Sequence, residues 1–267
     1  EIPGIKHTAR TTWDTRLLFS KDDKSVYGNG MMVDSSFLTM FNLEFVHGTA
    51  AAAFSQLHSL VLTEKMAKKI FNSTDVVGKT AKVDNKGEYL VGAVIKDLPD
   101  NCRFKNIEWL SPFEIFFKRN EWLTQWGSNG IQTYAELYPE ANAEEADKKL
   151  NGFIKGKMKE AIAVPFLLSA NDWRLRSNFV DGKQTGGRIK RVQLFSTIAW
   201  IILVLACINF MNLATARSEK RAREVGVRKV MGSGKGKLIG QFITEAVVMS
   251  LISVVLAVVI VSLVLPA

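Results

Sequence analysis

Apolar and polar residues are mixed along the first 193 positions and then separate. Leu194 to Ala214 and Ala246 to Ala267 contain no Asp, Glu, Lys, Arg or His. The first run has 21 residues; at about 1.5 Å per residue it reaches roughly 30 Å as an α-helix, the thickness of a hydrocarbon core. The second, 22 residues rich in Val, Leu and Ile, reaches slightly further. Both lie too far from the start to be signal peptides. The pattern predicts membrane helices over 194–214 and 242–267, a connecting segment over 215–241, and a preceding domain over 1–193.

Within that domain short strands alternate with helices. Gly30–Val33 reads as a strand, Asp34 as a helix cap, and Ser35–Phe41 as a helix with Phe37, Leu38 and Phe41 at helical spacing. Ser59–Leu62 reads as a strand, and Thr63 as the cap of a helix over Glu64–Phe71 that gathers Met66, Ala67, Ile70 and Phe71 on one face. Lys79–Val83 and Glu88–Ile95 flank Asp84-Asn-Lys-Gly87 and suit a hairpin. Pro99 breaks the pattern; Ile131–Leu137 predicts another strand, and Ala143–Lys159 a helix turning Ala146, Leu150, Phe153, Ile154 and Met158 inward. The expected class is α+β, with two subdomains as one arrangement.

The connecting segment is longer than a chain reversal needs, with 27 residues from Thr215 to Gln241. At 100° per residue Ala222, Val225, Gly226 and Val230 gather on one side and Arg217, Arg221, Glu224 and Arg228 on the other, with Lys229 interrupting the apolar arc. Gly232 is placed to end this amphipathic helix in the left-handed conformation. Pattern alone leaves three readings open: an anchor attracted to anionic headgroups, a helix lying flat on the membrane, and a docking element for a cytoplasmic partner.

Charge distribution sets the orientation. The net charge is +9, and Thr215–Gln241 holds eight basic and two acidic residues, so most of the surplus sits in one short segment rather than on a nucleic-acid-binding face. Short Lys/Arg-rich loops stay in the cytoplasm, which puts 1–193 outside.

Candidate chemistry is sparse. His7, His47 and His58 have no second ligand at usable spacing, and Cys102 and Cys207 are too differently placed to pair. No catalytic or metal motif occurs. Gly232-Ser-Gly-Lys-Gly-Lys237 departs from a phosphate loop at Met231 and Leu238, and Asn72-Ser-Thr74 is a chance-level glycosylation triplet. Trp109, Phe113, Phe116, Phe117, Trp122 and Trp126 form either core or an apolar binding site. Asn209 and Asn212, like Ser250 and Ser253, stand about one turn apart in the apolar runs; hydrogen bonds to another helix and local satisfaction both fit.

Asn209–Gly232, with Asn-Phe-Met-Asn-Leu-Ala-Thr-Ala-Arg followed by Glu-Val-Gly-Val-Arg-Lys-Val-Met-Gly, resembles the signature of MacB/FtsX-type permeases of ATP-binding cassette systems, especially the long permeases of Bacteroidetes-like bacteria. Val33–Phe37, Val61–Phe71, Val77–Lys79 and Val91–Asp97 are similar to stations of the MacB periplasmic core domain.

The resemblance implies a multi-pass protein of the bacterial inner membrane with 1–193 periplasmic. It implies a non-catalytic permease without cofactor or metal, its ATP and Mg carried by an ABC ATPase partner. Ala216–Met231 would be the coupling helix: Val225, Gly226 and Val230 seated in an ATPase groove, Arg228 and Lys229 in charged contacts, and Arg221, Glu224 and Gly232 completing it. Other implied partners are the lipid bilayer, a second permease copy or half, a periplasmic adaptor and an outer-membrane channel; nucleic acid is not among them. Export of peptides or drugs, lipoprotein handling and force delivery to a partner all fit. Such permeases carry a membrane helix before the outer domain and another after the second run. The expectation is therefore an excised region or one half of a duplicated permease. A sensor passing an outer signal inward is the rival, and it predicts a cytoplasmic output domain instead of re-entry into the membrane.

Overall fold

Three strands open the chain: β1 (Ile5–Thr11), β2 (Thr15–Lys21) and β3 (Lys24–Val33). The computed structural model in which they are seen describes residues 2–160, 162–180, 183–232 and 235–265, without the side chains of 218–221, 223, 224, 228, 229, 235, 237 and 238. β2 and β3 form a hairpin with Lys21 opposite Lys24 and Asp22 at φ 51° in the turn. Only the last residues of β3 were expected as strand, because the polar and basic residues of this region hide its alternation.

Asp34 does not cap the next helix, α1 (Ser36–Met40), whose N-cap is Ser35. The Asp34 carboxylate instead accepts the Arg10 backbone N–H and both forks of its guanidinium. These charge-assisted bonds outcompete a cap bond. β4 (Phe45–His47) and the short α2 (Ala50–Ala53) follow.

The strand, cap and helix unit is present as read. β5 (Ser59–Thr63) is buried throughout, and Thr63 Oγ1 accepts the Met66 N–H at 3.3 Å to start α3 (Glu64–Phe71). Met66, Ala67 and Ile70 are buried, and Asn72 ends the helix at φ 58°. The hairpin is also present: β6 (Thr80–Val83) and β7 (Gly87–Ile95) pair antiparallel, with Asp84 and Asn85 both at positive φ. Asn and Asp tolerate that conformation better than other side chains.

β8 (Trp109–Pro112) leads into α4 (Phe113–Arg119), and β9 (Gln132–Leu137) pairs along β1. The helix expected over 143–159 is two, α5 (Ala143–Asn151) and α6 (Phe153–Lys157), parted at Gly152. Gly costs helix interior about 1 kcal/mol relative to Ala. Ala146 is buried, but Phe153 is exposed and lies edge-on to Trp126, with ring centroids 5.6 Å apart.

One nine-stranded sheet joins what the sequence suggested as two subdomains, in the order β2-β6-β7-β5-β8-β3-β1-β9, with β4 on β7 and β2 also on β3. Its pairings therefore return to β2. β5–β7 and β3–β8 are parallel and the other pairs antiparallel. Trp109 and Phe19 sit inside with ring centroids 5.8 Å apart, among Leu60, Leu62, Met66 and Val91. Burying each of the large apolar side chains contributes about 1.5–3 kcal/mol. Trp109 Nε1–H donates to the Gly28 carbonyl at 3.0 Å, so its polar atom is satisfied. Phe37, Phe41, Phe104 and Tyr134 form a second cluster under β1 and β9, where burial pushes the Tyr134 phenol up. Of the expected aromatic group, Trp109 and Phe113 are core and Trp126 is exposed.

This compact unit is Glu1–Ala170. The second, Asn171–Ala267, holds a hairpin of β10 (Asn178–Val180) and β11 (Lys183–Gly186), then α7 (Arg188–Val230) and α8 (Lys235–Val264).

Candidate functional site

α7 is a single helix of 43 residues. Its apolar run ends at Ala214 and the helix continues to Val230, about 24 Å further at 1.5 Å per residue. The amphipathic segment is therefore helical and an unbroken extension of the first apolar stretch. A helix lying flat on a membrane would have to turn away from the span there, whereas the helical assignment of α7 runs through Ala214 to Val230 without a break. α8 starts at Lys235, seven residues before the span expected at 242.

Two stretches, Arg188–Arg217 and Ile239–Val264, are long and apolar enough to cross a membrane, and neither is buried within the structure. The core helix of a soluble protein hides its apolar face, whereas Trp200, Leu203, Val204 and their neighbours are exposed all round.

The residues expected to couple lie at the far end of α7. Val225 is half-buried, Gly226 is exposed with open space where a side chain would stand, and Val230 is 90% exposed. Gly232 ends the segment at φ 88°, as its sequence position predicts. The side chains of Arg221, Glu224, Arg228 and Lys229 lie outside the described residues; their backbones belong to α7. What is visible is a largely exposed apolar strip of Ala222, Val225 and Val230 with open space at Gly226.

Asn209 and Asn212 are exposed on α7, Asn212 beside a shallow groove that includes Cys207 and Met211. Ser250 is exposed on α8, and Ser253 Oγ donates to the Met249 carbonyl of its own helix at 2.9 Å. His7 Nδ1 lies 2.8 Å from Glu136 Oε2 and His58 lies edge-on to Tyr89. Among the described residues no three His, Cys, Asp or Glu side chains gather as metal ligands.

Next to α7 stands an element that the sequence pattern did not predict. The β10–β11 hairpin stands at the entry to α7, where the Ile189 N–H donates to the Leu175 carbonyl at 2.9 Å. Its signal in the sequence is the Asp181-Gly182 pair between two short runs.

Comparison with known proteins accounts for both units. Residues 1–153 match the MacB-like periplasmic core domain and residues 196–267 the FtsX-like permease C-terminal region. An uncharacterized ABC transporter permease of Bacillus subtilis, YknZ, is 25% identical over 261 residues, which cover 94% of this chain and 60% of that protein. A macrolide export ATP-binding/permease protein MacB of Neisseria meningitidis is 26% identical over 194 residues, covering 72% of this chain and 28% of that protein. The chain thus spans about three fifths of the first of these relatives and under a third of the second. Among solved structures, a domain of a protein taken to be a permease of Porphyromonas gingivalis superposes with a TM-score of 0.50 at 25% identity, covering 59% of this chain and 66% of that one. With its two segments matched in order, the chain belongs to the ABC transporter permeases in which a MacB-like periplasmic core domain precedes an FtsX-like membrane region.

Proposed function

We propose that this chain is the transmitting part of an ATP-driven permease: an ABC ATPase on another polypeptide docks at Ala216–Val230, and its closure moves the periplasmic domain through α7. The observation that carries this reading is the continuity of α7 over 43 residues. A helix resists bending because each turn is tied to the next, so displacement of one end reaches the other. A separate surface helix on a flexible joint would lose that displacement.

In this reading the chain lies in the bacterial inner membrane with its 216–230 end in the cytoplasm. The surplus of Lys and Arg over 215–241 supports that orientation. Val225, Gly226 and Val230 make the apolar contact with the ATPase, and Arg221, Glu224, Arg228 and Lys229 the charged one. A second permease copy or half supplies the neighbouring membrane helices, and a periplasmic adaptor with an outer-membrane channel completes an export path. The Neisseria meningitidis relative is named for macrolide export; for this chain export of drugs or peptides, or lipoprotein handling, is the proposed activity.

Gly226→Arg in the complete permease, co-purified with its ATPase, tests the docking. Nothing stands within 4 Å of the position where its Cβ would be built, and Arg is a better helix former than Gly. The substitution thus leaves the helix intact while filling the gap. Loss of ATPase binding and of ATPase stimulation is expected, and wild-type values for both would overturn the assignment.

A further inference from the structure

Charge along this chain changes abruptly before the first span. Glu1–Ala170 carries 21 basic and 21 acidic residues and is net neutral. The next 23 residues, Asn171 to Gln193, carry six basic residues (Arg174, Arg176, Lys183, Arg188, Lys190 and Arg191) against Asp172 and Asp181. The whole positive surplus ahead of the spans is thus packed next to the membrane. The preference for Lys and Arg on the cytoplasmic side explains the 215–241 cluster. It does not explain this one, at the opposite end of the same helix.

Depth and geometry point to its ligand. Arg188, Lys190 and Arg191 precede the start of the apolar run at Leu194 by three to six residues, about 5–9 Å along the axis. The headgroup layer adds roughly 5–8 Å on each side of the hydrocarbon, so these side chains stand among lipid phosphates. At 3.6 residues per turn the three spread round the axis instead of lining one face. A protein partner approaches from one side; lipid surrounds the helix.

The arrangement is built, not a loose tail. The Ile189 N–H bond to the Leu175 carbonyl holds Arg174 beside the first turn of α7. Gly187, at φ 135°, lets the backbone pass so close that a Cβ there would meet the Leu175 oxygen at 3.0 Å and the Ser177 nitrogen at 3.2 Å. Arg174, Arg188, Lys190 and Arg191 are exposed. Among the described residues the ion pair in this segment is Arg176–Asp172, at 3.7 Å, and none of those four is paired with a described carboxylate.

We propose that Arg174, Arg188, Lys190 and Arg191 form a collar that binds the phosphates of anionic phospholipids in the periplasmic leaflet and so fixes the depth of the first span. The sidedness rests on the permease reading above; the lipid contact is a separate claim.

The test is made on the complete permease in nanodiscs of equal phosphatidylglycerol and phosphatidylcholine, counting lipids retained after delipidation by native mass spectrometry. Wild type is expected to retain phosphatidylglycerol severalfold over phosphatidylcholine. Arg188→Gln/Lys190→Gln/Arg191→Gln is expected to lower that ratio by about half or more, since each basic side chain near an anionic surface adds to binding. Arg188→Lys/Arg191→Lys is expected to keep it, and inorganic phosphate to leave it unchanged. Raising salt on the wild type lowers the ratio by screening, a check that needs no variant. An unchanged ratio in the triple variant, competition by free phosphate, or no salt effect each overturns the proposal. ATPase binding by the triple variant stays at the wild-type level if the coupling reading holds, so failure of the collar and failure of the coupling are read separately.

Discussion

Arg10 and Asp34 are joined three times: Nε donates to Oδ2 at 2.9 Å, Nη2 to Oδ1 at 3.0 Å, and the Arg10 backbone N–H to Oδ2 at 2.8 Å. The guanidinium also lies 4.5 Å from the centroid of the Phe113 ring. The bond to Asp34 is the main cause that raises the Arg10 pKa above its ordinary value, so the group stays charged at any working pH. The pair thereby ties β1, the turn after β3 and α4 together. Asp34→Ala is expected to lower the stability of a Glu1–Ala170 fragment by about 1–2 kcal/mol, less than a fully buried pair because both groups are partly in water. Arg10→Lys should lose most of the same amount, since Lys lacks the fork and the planar stacking surface. Urea unfolding of the fragment measures both.

Gly30 faces Trp109 across the β3–β8 pairing, and a Cβ there would overlap the Trp109 carbonyl oxygen and indole ring. Backbone cannot yield as a flexible side-chain end does. Gly30→Ala is expected to cost at least about 1–3 kcal/mol, the range for overpacking. Gly87→Ala, with nothing within 4 Å of its Cβ, is the control and should unfold close to wild type.

Glu136 accepts hydrogen bonds from His7 and Lys6 across the β1–β9 pair, and these hold its carboxyl below the ordinary carboxylate value. A depressed folded-state value means that the contribution to stability is present above the unfolded-state value. It is lost as pH falls through the folded one. An NMR titration of the Glu136 side-chain carboxyl should give a midpoint below that of a free Glu, and His7→Ala should move it back up.

The parts of this fold legible in the sequence are those set by local pattern. The fully buried β5 with its Leu60-Val-Leu62 centre, the Thr63 cap and the amphipathic α3 follow each other within 13 residues, and the Asp84-Asn85 turn needs only its neighbours. The two spans are legible because lipid demands uninterrupted apolar residues. β1 and β2 were not legible: His7 and Arg10 belong to a strand paired along its length with β9, far along the chain, and Arg16 and Lys21 put basic residues into the β2–β3 hairpin and mask its alternation. Asp34 looked like a cap because its partner, Arg10, is 24 residues away. Of the candidate site, the amphipathic strip and Gly232 were legible. The continuity of α7 was not, because a change in composition at Thr215 resembles a change in element. The β10–β11 hairpin was hidden by polar residues beside a much stronger apolar signal.

The most direct measurement concerns α7 as a rigid link. Three glycines are inserted between Thr215 and Ala216 in the complete permease, and a spin label is placed at position 190 in both the intact and the interrupted protein. Electron paramagnetic resonance then reads label mobility with the ATPase bound, before and after ATP. The insertion sits outside the docking strip, so ATPase binding should survive while helical continuity is lost. The account predicts an ATP-dependent change at position 190 in the intact permease that disappears in the interrupted one with the complex still assembled. The same change surviving the interruption would contradict it.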